Sequence, residues 1–320
     1  MTDLMEKSLQ TLEFPAVLEL LAAQAVSDET KERVRNIRPS TDRGEVNLLL
    51  QETTAARKMM DIHGAPALSN LHPVAASLQR AHLGGVLNTR ELLQIASVLR
   101  TTRNVASYSG VGEEKTCIHS IFKSLTPNKY LEEKISGAIL SEDEIADNAS
   151  AELADLRRKI RVTSGKAREV LQRIISSSSA KYLQEAIITI RSNRFVVPVK
   201  AEFKGSIPGL VHDVSASGST YFIEPMGAVK ANNELRELQA REEKEIERIL
   251  RELSAQCADA MEYILLDYDM LVHLDMIFAR AQLSYTMNAS RPEVVRKGAI
   301  SLKRARHPLL DQAKAVPVTV

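Results

Sequence analysis

The side chains that could do acid–base or nucleophilic chemistry lie near the middle of the chain. His212 is followed directly by Asp213, and the serine-rich run 215–219 comes next. A His–Asp pair can move protons in an active site, but such a pair at a strand end is more often structural. The serine run lacks the leading glycine of a nucleophile elbow, and Gly165-Lys166 lacks the other residues of a phosphate loop. The sequence therefore assigns no catalytic residue, metal ligand or cofactor-binding residue to this segment.

Basic residues are the other chemically useful group, and they are unevenly distributed. The net charge is only +1, but residues 157–204 contain 12 Lys or Arg against three acidic residues. Such a local excess favours binding of a phosphate backbone, without distinguishing DNA from RNA. We predict a nucleic-acid-binding set made of Arg191, Arg194, Lys200, Lys204, Ser215 and Ser217. We also predict a secondary basic surface made of Arg157, Arg158, Lys159, Arg161, Lys166 and Arg168.

A second interpretation gives the same charges a structural role. Residues 234–252 contain seven Glu against five Lys or Arg, so this segment could pair electrostatically with the basic one. That interpretation predicts a coiled-coil arm that binds other proteins and makes no direct contact with nucleic acid.

The elements that must position these residues follow from the hydrophobic pattern. Alternating, β-rich runs cover residues 186–191, 194–199, 209–214 and 219–223, with a turn at Ser192-Asn193. Helical periodicity flanks them on both sides, from a capping box at Ser141 to about residue 183 and from about residue 226 to 285. The pattern therefore predicts a small β unit at the tip of two long antiparallel helices.

The two ends of the chain have different patterns. Residues 1–140 are periodic in the manner of a helical bundle, with a cap at Ser27, a capping box at Asn88 and Glu91, and a loop at 109–112. Residues 299–303 and 316–320 have strand-like sequences, and we expect them to begin a further domain that this sequence does not contain. The predicted fold class is mainly α.

The remaining composition indicates an ordinary intracellular protein. Cys117 and Cys257 are far apart and fit neither a metal site nor a disulfide framework. The N-terminus has no basic segment followed by an apolar run, and no apolar stretch is long enough to span a bilayer. We therefore expect a cytoplasmic protein with no membrane partner.

Four stretches together resemble the second bacterial MutS paralogue family ("MutS-two"). They are residues 12–14 (LEF) with 30–34 (TKERV), 194–200 (RFVVPVK), 208–225 (PGLVHDVSASGSTYFIEP) and 305–310 (ARHPLL). The third stretch is long and specific, and the resemblance covers essentially the whole chain.

The resemblance implies a division into five parts. These are a helical core (1–140), a first lever helix (141–183), a β clamp (184–225), a second lever helix (226–285), and the core end with the start of an ATPase domain (286–320). It also implies that the whole protein is a homodimeric ATPase that uses ATP and Mg²⁺ and carries a C-terminal Smr endonuclease domain. We expect the nucleotide-binding part of the ATPase domain and the Smr domain to lie outside this sequence. Implied partners are DNA or ribosomal RNA and stalled or collided ribosomes, in suppression of recombination and in ribosome rescue. We expect this chain alone to be monomeric, because the large dimer contact is expected in the ATPase domain.

Overall fold

The computed structural model describes residues 3–108, 116–296, 298, 300–311 and 313–320. The chain is mainly helical with small antiparallel sheets, in agreement with the predicted fold class. It divides into two compact units, the first formed by Met1–Ser136 with Leu253–Val320 and the second by Gly137–Glu252. The finer division into core, levers and clamp stays a prediction.

The first unit is built from helices joined by short loops, as its periodicity predicts. Their bounds are α1 (Asp3–Thr11), α2 (Phe14–Ala22), α3 (Asp28–Arg35), α4 (Arg43–His63), α5 (Ala75–His82), α6 (Thr89–Tyr108), α7 (His119–Ser124), α8 (Lys129–Ala138) and α11 (Met261–Thr286). The loop predicted at 109–112 lies outside the described residues.

Helix α11 forms the centre of the first unit. Its apolar residues occur all round the helix, and Leu271, Val272 and Leu274 are completely buried. Neighbouring helices therefore cover most of its length, although Tyr263 and Leu266 near its start are 61% and 57% exposed. One buried acid on it also has a clear structural partner, because both carboxylate oxygens of Asp275 accept hydrogen bonds from the backbone amides of Val26 and Ser27.

Two helix starts in the first unit confirm the predicted caps. The Ser27 hydroxyl accepts a hydrogen bond of 3.0 Å from the Thr30 amide. At the start of α6, Asn88 Oδ1 accepts from the Glu91 amide at 2.9 Å, and Glu91 Oε2 accepts from the Asn88 amide at 3.0 Å. These reciprocal bonds satisfy amides that have no partner within the helix.

The second unit begins differently from the sequence prediction. Ser141 starts no helix; it ends β1 (Ile139–Ser141), which pairs with β2 (Glu144–Ile145) in a short hairpin. Helix α9 begins ten residues later and covers Ala151–Ile175, because the hydroxyl of Ser150 accepts from the Leu153 amide. The predicted capping box at Ser141 was therefore wrong.

The end of α9 also comes earlier than residue 183. The helix stops at Ile175, and the Ser177 hydroxyl accepts from the Ser179 amide at 3.1 Å in a turn that continues to Tyr182. Local bonds of this kind compete with the helical ladder. Leu183 then bridges to Val199, so this segment extends the sheet.

The four predicted strands all form. They are β3 (Thr189–Arg191), β4 (Arg194–Lys200), β5 (Gly209–Val214) and β6 (Thr220–Pro225), in the antiparallel order β3-β4-β6-β5. The β3–β4 turn has positive φ at both Ser192 and Asn193, as a tight hairpin requires. One face of the sheet packs on α9 and on α10 (Met226–Asp259) through a core that includes Ala167, Leu171, Val197 and Ala228.

The long helix predicted over 226–285 is two helices. Helix α10 ends at Asp259 and α11 starts at Met261, with Ala260 outside helical geometry at φ −95° and ψ 4°. Nothing in the sequence near residue 260 is a helix breaker, so periodicity alone carried the prediction through this position.

The C-terminal strands form only in part. Leu302 exchanges two backbone hydrogen bonds with Val320, and Ala305 exchanges two with Val318. The two segments are therefore paired antiparallel, as adjacent strands would be, but their described residues form only an isolated bridge. Residue 299 lies outside the described residues.

Candidate nucleic-acid interface

Arg194 is the most enclosed of the predicted nucleic-acid-binding residues. Its side chain is only 14% exposed, and Nη1 donates to both carboxylate oxygens of Glu224 at 2.7 and 2.9 Å. Its Nη2 donates to Asn233 Oδ1 at 2.7 Å. These bonds occupy both terminal nitrogens of the guanidinium, so the structure places Arg194 in an ion pair with a buried carboxylate, with only a small part of its side chain open to solvent.

Glu224 is the centre of that buried cluster. Its side chain is fully buried and also accepts hydrogen bonds from Asn232 and His212. Burial alone would raise the pKa of Glu224, but the bonds from Asn232, His212 and Arg194 outweigh it and lower the pKa. Glu224 is therefore held as a carboxylate, and His212 has a structural partner other than its neighbour Asp213.

Asn232 connects the same cluster to the start of α10. Its Oδ1 accepts from the Phe195 amide at 3.1 Å, and its Nδ2 donates to the Phe195 carbonyl at 3.0 Å and to Glu224. The buried amide of Asn232 thus ties strand β4 to the helix, beside the bond from Arg194 to Asn233. The sequence carried no signal for this link, because it joins residues 37 positions apart.

Arg191 has an acidic partner and an aromatic one. Its Nε lies 3.3 Å from Asp213 Oδ2, and its guanidinium carbon lies 4.2 Å from the centre of the Phe222 ring. Its side chain is 41% exposed, which leaves part of the guanidinium open to solvent. Arg191 lies at the β3–β4 turn, while Lys200 ends β4 about 20 Å away along the strand. The structure therefore does not bring the four predicted cations together.

Lysines gather at the opposite end of the sheet, where β4 stops and β6 begins. We call Lys181, Lys200 and Lys204 the lysine end. The ammonium of Lys200 donates to the Lys181 carbonyl at 3.4 Å. Lys181 and Lys204 lie over the Tyr182 and Tyr221 rings, 5.0 and 4.6 Å from the ring centres.

No lysine of the lysine end forms an ion pair with any residue that the structure describes. Glu202 lies in the intervening turn and is exposed, but it makes no such pair with them. The aromatic faces support the lysine stems and heads without neutralising their charge. Three positive charges without a described ion-pair partner therefore lie at this end of the second unit, and those of Lys181 and Lys204 are on exposed residues.

The serine turn between β5 and β6 lies at the same end of the sheet. Ser215 Oγ accepts from the Thr220 amide at 3.0 Å, while Ser217 and Ser219 share a hydroxyl hydrogen bond of 2.7 Å. The Ala201 amide donates to the Ser219 carbonyl, which joins this turn to the lysine end. Exposed hydroxyls beside lysines are suited to phosphate oxygens.

The first half of α9 contains basic residues that are all paired. Arg157 bonds Asp147 and Glu242, each at 2.7 Å, and its side chain is 21% exposed. Arg158 and Lys159 both pair with Asp155, one turn away on the same helix. Arg161 pairs with Asp147 at 3.1 Å. Only Arg157 in this group reaches the acidic segment 234–252, so the two segments pair much less than their charges predict.

Two further members of the secondary surface differ from that group. Lys166 and Arg168 are exposed and form no ion pair with a described residue. The Arg168 guanidinium lies 5.1 Å from the centre of the Phe195 ring. These two residues therefore resemble the lysine end more closely than the paired residues that precede them on α9.

Lys181 is the member of the lysine end that sequence reasoning left out of the binding set. Residue 181 falls within the predicted first lever helix (141–183), where a lysine is commonly solvated and gives no signal of a binding site. The available signal was the serine run 176–179, which ends α9 and directs residue 181 toward the sheet.

Other candidate chemistry is sparse in the part of the chain that the structure describes. No group of three or more His, Cys, Asp or Glu side chains there is arranged to hold a metal ion. Cys117 is exposed and Cys257 buried, and both are free; burial raises the pKa of Cys257 to about 12. No helix among these residues is both long and apolar enough to cross a bilayer.

Comparison with known proteins gives a consistent result. No family model matches the chain. It is 42% identical over 318 residues to Endonuclease MutS2 of Acetivibrio thermocellus, and 40% identical over 317 and 320 residues to the proteins of the same name from Ruminiclostridium cellulolyticum and Clostridioides difficile. Each match covers 98% of this chain and 40% of the relative, so the chain spans well under half the length of these relatives. With near-complete coverage of its own length at this identity, the chain belongs to the MutS2 family of MutS paralogues.

Proposed function

We propose that the lysine end of the second unit binds the sugar–phosphate backbone of nucleic acid. The observation that supports this is the separation of the basic residues into two groups. Arg157, Arg158, Lys159, Arg161 and Arg194 are neutralised by nearby carboxylates. Lys181, Lys200 and Lys204 have aromatic or carbonyl neighbours instead. A cation without an internal partner can replace the counterions of a phosphate when it binds.

The composition of the lysine end favours contact with the backbone over reading of sequence. Lysine is a flexible point charge, whereas bidentate recognition of base edges is mainly the work of Arg, Asn and Gln. Ser217 adds an exposed hydroxyl that can donate to a phosphate oxygen. Lys166 and Arg168 supply further cations on α9. We therefore expect binding without sequence specificity.

Family membership supports a wider proposal about the whole protein. We propose that this segment provides the core, lever and clamp parts of a homodimeric ATPase that uses ATP and Mg²⁺. The relatives are named endonucleases, which favours a nuclease activity outside this segment. Suppression of recombination through DNA, and rescue of collided ribosomes through ribosomal RNA, are the two roles that we propose for it.

A protein-binding arm is the second candidate function. Strand β5 lies at the edge of its sheet, and Leu210, Val211 and Val214 on it are 48%, 41% and 42% exposed. Exposed apolar side chains on an edge strand favour a protein partner. This observation accounts for β5 but not for the unpaired lysines.

Replacing Lys181, Lys200 and Lys204 together by Gln tests the main proposal. The affinity of the chain for duplex DNA is measured as a function of salt concentration, and binding to purified ribosomes is measured in parallel. If each lysine neutralises one phosphate of B-DNA, the slope of log affinity against log salt should fall by about 2.7. Stability should change little, because exposed cations contribute little to it.

A matched variant removes the same charge from the paired region. Arg158, Lys159 and Arg161 replaced by Gln also lose three positive charges, but these residues have carboxylate partners. The salt slope of this control should fall by much less than that of the lysine-end variant. Equal slopes in the two variants would show that only net charge matters, and absence of binding to DNA and to ribosomes at low salt would favour the protein-binding arm.

A further inference from the structure

A cleft in the first unit has features that the nucleic-acid proposal does not use. Its volume is about 340 Å³, and it lies between α6, α11 and the loop that leads into α8. This is within the usual range for small-ligand sites, at its lower end. All of the residues that line it belong to the first unit.

The only acidic residue lining the cleft is Asp267 on α11. Asp267 is only 2% exposed. Its Oδ1 accepts a hydrogen bond of 2.9 Å from the Thr126 amide. No cation forms an ion pair with it among the residues that the structure describes. Burial raises the pKa of Asp267, because the single amide offsets only part of the solvation that its charge has lost. A carboxylate in this position would gain from a positively charged ligand.

Two tyrosines line the same cleft and are unusually open to solvent. Tyr130 is 70% exposed and Tyr263 is 61% exposed. Aromatic rings near a carboxylate attract organic cations, since both the ring faces and the carboxylate are negative. Leu99 and Ile264, which are almost fully buried, form the apolar floor of the cleft beneath these rings.

Two lysines lie near the cleft, but neither of them neutralises Asp267. Lys129 also lines the cleft, but its ammonium lies 3.4 Å from Glu133 Oε1 and pairs with it. Lys134 lies 6.0 Å from the centre of the Tyr130 ring. Neither residue is paired with Asp267 in the structure.

We propose that this cleft binds an alkyl cation, with the ammonium or guanidinium group at Asp267 and the alkyl stem against Leu99, Ile264 and the two tyrosines. The ligand has an apolar stem and a charged head, as an arginine or lysine side chain does and as a polyamine does. The residues that line this cleft all belong to the first unit, whereas the lysine end belongs to the second. The two proposed ligands also differ in the sign of their charge.

Calorimetric titration of the whole chain with matched probes tests the proposal. The probes are a short neutral peptide with one central arginine, the same peptide with lysine, the same peptide with citrulline, and free spermidine. Citrulline has nearly the shape of arginine without its charge. We expect the arginine or lysine peptide, or spermidine, to bind at least about tenfold more tightly than the citrulline peptide. Tighter binding of a peptide would identify a protein segment as the source of the cation, and tighter binding of spermidine a polyamine.

Variants then locate the binding. Asp267→Asn keeps an acceptor for the Thr126 amide and removes the charge, so it should fold and bind the cation about tenfold more weakly. Tyr263→Ala changes an exposed residue and should also weaken binding. Glu262→Gln removes an exposed charge from the same helix outside the lining of the cleft, and should leave binding unchanged. Equal affinity for the arginine and citrulline peptides, no saturable binding of any cation, or unchanged affinity in Asp267→Asn would overturn the proposal.

Discussion

The first half of α9 and the lysine end of the sheet belong to one basic stretch of sequence, but their cations differ in whether they have carboxylate partners. On α9, Arg158 and Lys159 share Asp155, and Arg161 pairs with Asp147. At the lysine end, Lys181 and Lys204 lie over tyrosine rings and no described carboxylate pairs with them. The difference shows that a count of charges does not reveal which cations have internal partners, and our proposal places binding where they have none.

Arg194 gives the comparison its strongest test, because it belongs to the predicted binding set and its side chain, only 14% exposed, is paired with the buried Glu224. Replacing Arg194 by Gln leaves Glu224 buried without its cation, and removing one partner of a buried ion pair typically costs about 3 kcal/mol. We therefore expect a large loss in the free energy of unfolding, measured by denaturant titration, with little change in the salt dependence of DNA binding by the folded fraction. A stable variant with a salt slope reduced by about 0.9 would move Arg194 into the binding set.

The pH dependence of the unfolding free energy tests the other member of this ion pair, Glu224. The pKa of Glu224 is lowered in the folded protein, so its contribution to stability is present above the usual glutamate pKa of about 4.3. This contribution is lost as the pH falls through the lower, folded pKa. The difference in unfolding free energy between the unmodified chain and Glu224→Gln should therefore be greatest near neutral pH and shrink in acid. A difference that stays constant down to strongly acidic pH would contradict this account.

The change expected to affect stability least is made in the first half of α9, where the basic residues are paired. Asp155→Ala removes the partner shared by Arg158 and Lys159, both of which are exposed. If pairing is what keeps these residues from binding nucleic acid, the variant should bind duplex DNA more tightly and with a steeper salt dependence, while its thermal midpoint barely changes. An unchanged slope would show that their position on α9, and not their pairing, excludes them.

Local signals in the sequence predicted much of the fold. The caps at Ser27 and Asn88 depend on side chains that bond amides within three residues, and both form as predicted. The four strands and the Ser192-Asn193 turn also follow from alternation and from residues that accept positive φ. Such features need no information about distant parts of the chain.

The errors came where a distant contact or a competing local bond decided the structure. Ser141 has a capping-box sequence, but a β hairpin forms there and Ser150 caps α9 instead. The helix break at Ala260 has no local signal. Arg194 stays a predicted binding residue, but its partners Glu224 and Asn233 are 30 and 39 residues away, so no local signal could reveal its ion pair. Sequence therefore located the basic region but could not sort its residues by partner.

The buried amide of Asn232 has a mechanical consequence. Strand β6 ends at Pro225 and α10 begins at Met226, so no loop separates the sheet from the helix. Asn232 then bonds both backbone groups of Phe195, which holds strand β4 against the first turns of α10. A force applied to the sheet would therefore reach the start of α10 through these bonds as well as through the direct connection of Pro225 to Met226.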